Sequence, residues 1–127
     1  MLAISWNVKG LGRKEKCKMV RNLVLKYKSV VLFLQETKLS SFDSGVIRAL
    51  GGDVLSRGNG VGSVGALGGL LSLWNDSLFV VNSCVPSKCC FFLFGELLGI
   101  KKVLGMIWDS VVLGVNGVVL QGVLSCF

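Results

Sequence analysis

The spacing of apolar and polar positions changes several times along this chain, and each change predicts an element. Residues 2–8 are a short apolar run containing Ile4, Trp6 and Val8, which reads as a buried first strand. Lys9-Gly10-Leu11-Gly12 breaks it. Over residues 14–28 the period becomes helical: Cys17, Val20, Val24 and Tyr27 share one face, and Lys14, Lys18, Arg21 and Lys28 are expected on the opposite one. Residues 30–35 form a continuous apolar run of strand length. A short helix is expected over 43–50, with Asp43 near its start. Residues 51–69 hold eight glycines and read as a loop flanked by a weak strand. Residues 68–74 and 78–84 read as strands around an Asn75-Asp76 turn, a hairpin signal, with residues 90–94 as a third member. Strand, basic helix and buried strand together predict a layered α/β or α+β fold. After Gly95 neither period persists, so 95–127 is set apart as a divergent, apolar, glycine-rich tail.

Charge adds direction to this outline. Residues 1–28 contain eight bases and one acid, and the remaining residues contain six of each, so the whole net charge of +7 lies in the first 28 residues. A block of this kind suits a polyanion such as nucleic acid or an anionic membrane, or is simply a solvated helix face. With 127 residues there is room for one small domain. A hydrophobic share of 52% against 17% charged excludes disorder as a description of the chain. There is no histidine, which excludes Ser-His-Asp, Cys-His and His-metal chemistry built from this chain alone. The five cysteines have irregular spacing and read as reduced thiols of an intracellular protein. The first apolar run is too short for a signal peptide and precedes the basic block instead of following it, so nucleus or cytoplasm is expected.

Three pattern matches carry little. Gly60-Val61-Gly62-Ser63-Val64-Gly65 fits G-x-G-x-x-G, but a strand follows it and its first acid, Asp76, comes too early for a dinucleotide site, so a flexible loop is expected. Gly95-Glu96-Leu97-Leu98-Gly99 fits a helix-dimer pattern without an apolar helix around it. Residues 103–124 have the length of a membrane span but contain Asp109, Asn116 and Gln121. An acid at the bilayer centre costs about 2.5–3.5 kcal/mol, so membrane contact is not the expectation, and a small membrane-anchored protein stands as an alternative.

The sharper chemistry lies at the ends of the first two buried strands. If those strands are parallel neighbours, Asn7 and Glu36 sit side by side at their carboxyl ends, where layered sheets form sites. An amide oxygen and a carboxylate are hard ligands of the kind Mg²⁺ takes, and Lys38 is near enough in sequence to stabilise phosphate charge. A Glu that merely ends a strand and points to solvent is the competing reading.

Residues 4–12 (ISWNVKGLG), 33–38 (FLQETK) and 68–75 (GGLLSLWN), in that order, resemble the start of an endonuclease/exonuclease/phosphatase domain. They are most similar to the apurinic-type endonuclease domain of plant LINE-type (non-LTR) retrotransposons. The resemblance covers residues 1–94, about the first half of such a domain, and implies a four-layer α/β sandwich and phosphodiester cleavage with Mg²⁺ or Mn²⁺. It implies that Glu36 and Asn7 hold the metal and set the attacking water, that Lys38 is a basic residue beside the site, and that Gln35 supports it. DNA is the implied partner, with no small-molecule cofactor, and Lys9, Arg13, Lys14, Lys18 and Arg21 are the candidate nucleic-acid-binding residues.

The family's later motifs, a Tyr in a strand, Asp-x-Asn and a closing Ser-Asp-His, do not occur in this chain. The general base and the transition-state stabiliser are therefore missing, each worth at least about 100-fold. The resemblance thus implies a truncated domain that is inactive alone, with apolar strands left uncovered. A non-catalytic nucleic-acid-binding protein using helix 14–28 is the alternative.

Overall fold

In the computed structural model, residues 3–64, 68–86, 90–97, 99–107, 110–115 and 118–122 are described. The first strand, β1 (Ala3–Asn7), is followed by helix α1 (Lys14–Tyr27) and strand β2 (Val31–Gln35), which lies parallel to β1 with Asn7 opposite Gln35. This is the strand–helix–strand unit that the change of period predicts. Helix α2 (Ser44–Gly51) begins where Asp43 accepts a hydrogen bond from the Val46 backbone N–H at 2.9 Å, satisfying one of the donors a helix start leaves open. Strands β3 (Arg57–Val61) and β4 (Leu70–Trp74) complete a first sheet of order β1-β2-β4-β3. Strands β5 (Phe79–Pro86), β6 (Cys90–Leu97), β7 (Ile100–Ile107), β8 (Ser110–Val115) and β9 (Val118–Gly122) form a second sheet, an antiparallel meander in chain order.

The layers follow from alternation along each strand. Ile4, Trp6, Leu32, Leu34, Leu71 and Leu73 point from the first sheet to the helices, where Val20, Val24 and Leu50 meet them. Val31, Phe33, Leu70 and Trp74 point the other way, onto Phe79, Leu93, Leu97 and Leu104 of the second sheet. The order is helices, sheet, sheet, a mixed α/β architecture. β2 and β4 are buried at every position, because each has a layer on both faces. On the outer face of the second sheet Val80, Val85 and Phe94 remain exposed.

Several expectations need correction. β4 and β5 do not form a hairpin: β4 pairs with β2 and β3, and β5 with β6. The Phe79 N–H bonds to the Asn75 carbonyl at 2.8 Å, a tight turn that carries the chain across to the other sheet and drops Phe79 into the core between them. Part of the glycine-rich stretch is a strand and not a loop. A Cβ at Gly60 would lie 2.2 Å from the Leu70 carbonyl oxygen, and one at Gly58 would lie 2.5 Å from Leu73, so glycine lets β3 lie against β4 and the surrounding side chains. Gly60 and Val61 of the G-x-G-x-x-G match therefore belong to β3, and Gly65 lies outside the described residues. Within 103–124 the described residues are strand, and no helix among them is long and apolar enough to cross a membrane. Gly95, Glu96 and Leu97 of the other glycine match are likewise strand, and Leu98 lies outside the described residues. Cys17 and Cys84 are free thiols.

On α1, Val20 and Val24 are buried as expected, but Tyr27 is exposed, its ring 5.2 Å from the Lys26 ammonium. Lys14, Lys18 and Arg21 are not opposite the buried face. They border it on the side of α2 and share a hollow with Cys17 and Ala49.

Candidate active site

The alternation that sends Trp6 and Leu34 toward the helices sends Asn7 and Gln35 toward the gap between the sheets. Gln35 is buried there and its amide donates to the Ser5 hydroxyl, so a polar pair stands at one end of the interlayer. Asn7, half-buried, takes a hydrogen bond on its Oδ1 from the Lys9 backbone N–H at 3.1 Å. Glu36 follows Gln35 directly and is half-buried. Its carboxylate makes no hydrogen bond or ion pair among the described residues.

The backbone around these groups is unusual. Lys9, Glu36 and Lys38 have φ of 50°, 52° and 57°, in the left-handed region. That conformation costs a residue with a Cβ roughly 1–2 kcal/mol. Hydrogen bonds from both sides hold it. The Gly10 N–H reaches the Glu36 carbonyl at 2.7 Å and the Leu11 N–H the Thr37 carbonyl at 3.0 Å. On the other flank the Thr37 N–H reaches the Gly69 carbonyl at 3.1 Å and the Lys38 N–H the Gly68 carbonyl at 2.9 Å. The segment 36–38 is thus clamped between the loop after β1 and the loop before β4. Gly69, with φ +98°, is tight against it: a Cβ there would lie 2.3 Å from Thr37 Oγ1. Lys38 runs over Gly10, its Cδ 3.4 Å from where a Gly10 Cβ would be.

Of the residues singled out in the sequence, Asn7, Gln35, Glu36 and Lys38 meet at one sheet edge, and Lys9 joins them through its backbone. Arg13 and Lys14 stand at the start of α1, one loop away, while Lys18 and Arg21 lie further along the helix. Thr37, Gly68, Gly69 and Ser5 lie within the three motifs but have no site role in the sequence analysis. The Gly-Gly pair ahead of an apolar run was a visible signal; the Ser5–Gln35 bond, 30 residues apart, was not. An amide oxygen and a carboxylate free of partners among the described residues are hard donors of the kind a divalent cation takes. Among the described residues no three acidic, Cys or His side chains cluster as a complete protein cage.

No protein-family model matches the chain, and no curated protein does. A solved structure does: AP endonuclease LMAP from Leishmania major aligns with a TM-score of 0.60 at 22% identity, over 84% of this chain and 39% of that one. The fold is similar to part of that AP endonuclease's. At this identity the likeness is one of fold, and the chain spans about two-fifths of the AP endonuclease's length.

Proposed function

We propose that this chain is part of an endonuclease/exonuclease/phosphatase-type domain of retroelement kind, bearing one portion of a Mg²⁺- or Mn²⁺-dependent phosphodiesterase site directed at DNA. The observation that carries it is the pairing of Asn7 with Gln35 at the carboxyl ends of two parallel strands, with Glu36 next in the chain on clamped, left-handed backbone. The AP-endonuclease fold supports a nuclease-like reading, and the three motifs resembling plant LINE-type domains support the finer one. Glu36 and Asn7 would hold the metal. Bound there, the ion would acidify a water and neutralise charge on the phosphate. Lys38 contributes a cation to the same charge, and Gln35 fixes the floor of the site through Ser5.

With one carboxylate at the edge and no histidine in the chain, the residues present bind and orient but supply no second proton-transfer group. The chain alone is therefore expected not to cut. Two measurements test this reading. Supercoiled plasmid with Mg²⁺ should be nicked no faster by the protein than by its Glu36→Ala variant. Mn²⁺ binding, followed by water-proton relaxation, should weaken at least about tenfold in Glu36→Gln. Mn²⁺ binding indifferent to Glu36 would sink the metal assignment, and nicking that disappears in Glu36→Ala would overturn the inactivity while keeping the site.

A further inference from the structure

The geometry points to a second nucleic-acid contact surface, a phosphate track on the helical layer that leads away from the sheet edge along the groove between α1 and α2. It rests on the DNA-directed reading above. Arg13, Lys14, Lys18 and Arg21 line a hollow of about 430 Å³ together with Ala49 of α2. No acidic side chain is among its lining residues. Arg21 then continues onto the end of α2: its Nε lies 3.5 Å from where a Gly52 Cβ would be, and the Gly52 N–H bonds to the Arg48 carbonyl at 2.9 Å. Arg48 and Gly52 line the adjoining hollow of about 440 Å³, where Asp53 supplies the one carboxylate.

These cations have no ion-pair partner among the described residues, where the one ion pair joins Arg57 and Asp76. Five like charges concentrated along one groove raise the free energy of the unliganded protein, and a polyanion relieves that cost. The dimensions suit a nucleic-acid backbone. From Lys14 to Arg21 the helix advances about 10 Å, and one DNA strand carries a phosphate about every 3.4 Å of its axis, so the stretch faces about three phosphates. The direction is set as well, since Leu11, beside Arg13 in the same hollow, is hydrogen-bonded to the Thr37 carbonyl at the candidate site. A strand engaged at the edge would continue onto α1 through a hollow with no acidic lining residue, Glu15 being the one acid in the helix's first turn. The occupant is therefore a nucleic-acid backbone flanking the position of Glu36.

The test compares full-length variants for binding to a 30-base-pair duplex of arbitrary sequence over a range of NaCl concentrations. The groove variant is Lys18→Gln/Arg21→Gln/Arg48→Gln. A charge-matched control is Lys26→Gln/Arg57→Gln/Lys101→Gln, which leaves the groove intact. The groove variant should weaken binding at least about tenfold and lower the slope of log K against log salt by about 2–3, while the control changes it by less than one. Equal weakening in groove variant and control would mean that net charge alone acts, and would overturn the track. So would retention on phosphatidylserine vesicles, with no duplex binding, that depends on the same three residues. Because Arg21 also sits at the negative end of the α2 dipole, the groove variant is checked by circular dichroism, and Lys14→Gln/Lys18→Gln, both exposed, provides a substitution that leaves α2 alone. That pair should lower the slope by about 1–2, and an unchanged slope would also overturn the proposal. The metal assignment is read from Mn²⁺ relaxation of Glu36→Gln and the track from the salt slopes of the groove variants, so the failure of one is distinguished from the failure of the other.

Discussion

Single residues decide the shape of the candidate site. Gly69 is the clearest case, because it is both left-handed and in contact with Thr37. Gly69→Ala must either move the 36–38 segment or strain its own backbone, and should lower the unfolding free energy by about 2 kcal/mol or more in urea titrations. A loss under 0.5 kcal/mol would mean that the clamp yields easily. Asn7 and Glu36 stand out in the sequence because an amide and a carboxylate end two apolar runs. The left-handed turn at Lys9 was not legible, since lysine carries no marker for positive φ. Nor was Ser5, a small polar residue inside an apolar run whose partner is 30 residues away.

At the scale of elements, the strength of each signal tracked how local its cause was. Asp43 announced α2 because a cap acts three residues ahead, on Val46. β3 was concealed, because an RGNGV strand owes its form to close approach against β4 and not to its own propensity. The false hairpin arose in the same way: two apolar runs around Asn75-Asp76 look alike whether the chain doubles back or crosses to another sheet. Helix α1 ends on Lys28 at φ 48° and ψ 49°, the position where glycine is favoured. Lys28→Gly should therefore be about 1 kcal/mol more stable than Lys28→Ala, both having lost the charge, by thermal or chemical denaturation. Equal stability of the two would argue against the left-handed cap.

For the whole molecule, the layered α/β class followed from the first three elements, whereas the second sheet did not. In residues 95–127 apolar residues follow one another with few polar ones between them, so the sequence lacks the alternation that marks a strand with one solvated side. The same meander has a kinetic consequence. Ile100 pairs with Leu97, three residues away, but Val31 pairs with Ala3 across 28. A tenfold difference in loop length is worth about 2 kcal/mol of closure entropy. The second sheet should therefore assemble first, zipping from its turns, and the β1–β2 pairing that brings Asn7 beside Gln35 should come late. Pulse-labelling hydrogen exchange during refolding would reveal the order as earlier protection of amides in β6 and β7 than in β1 and β2. Simultaneous protection would mean one cooperative nucleus. In the expected order, the chain presents an unoccupied apolar sheet to its surroundings before the polar edge exists, so time spent in that half-assembled form sets how much protein survives to reach the native state.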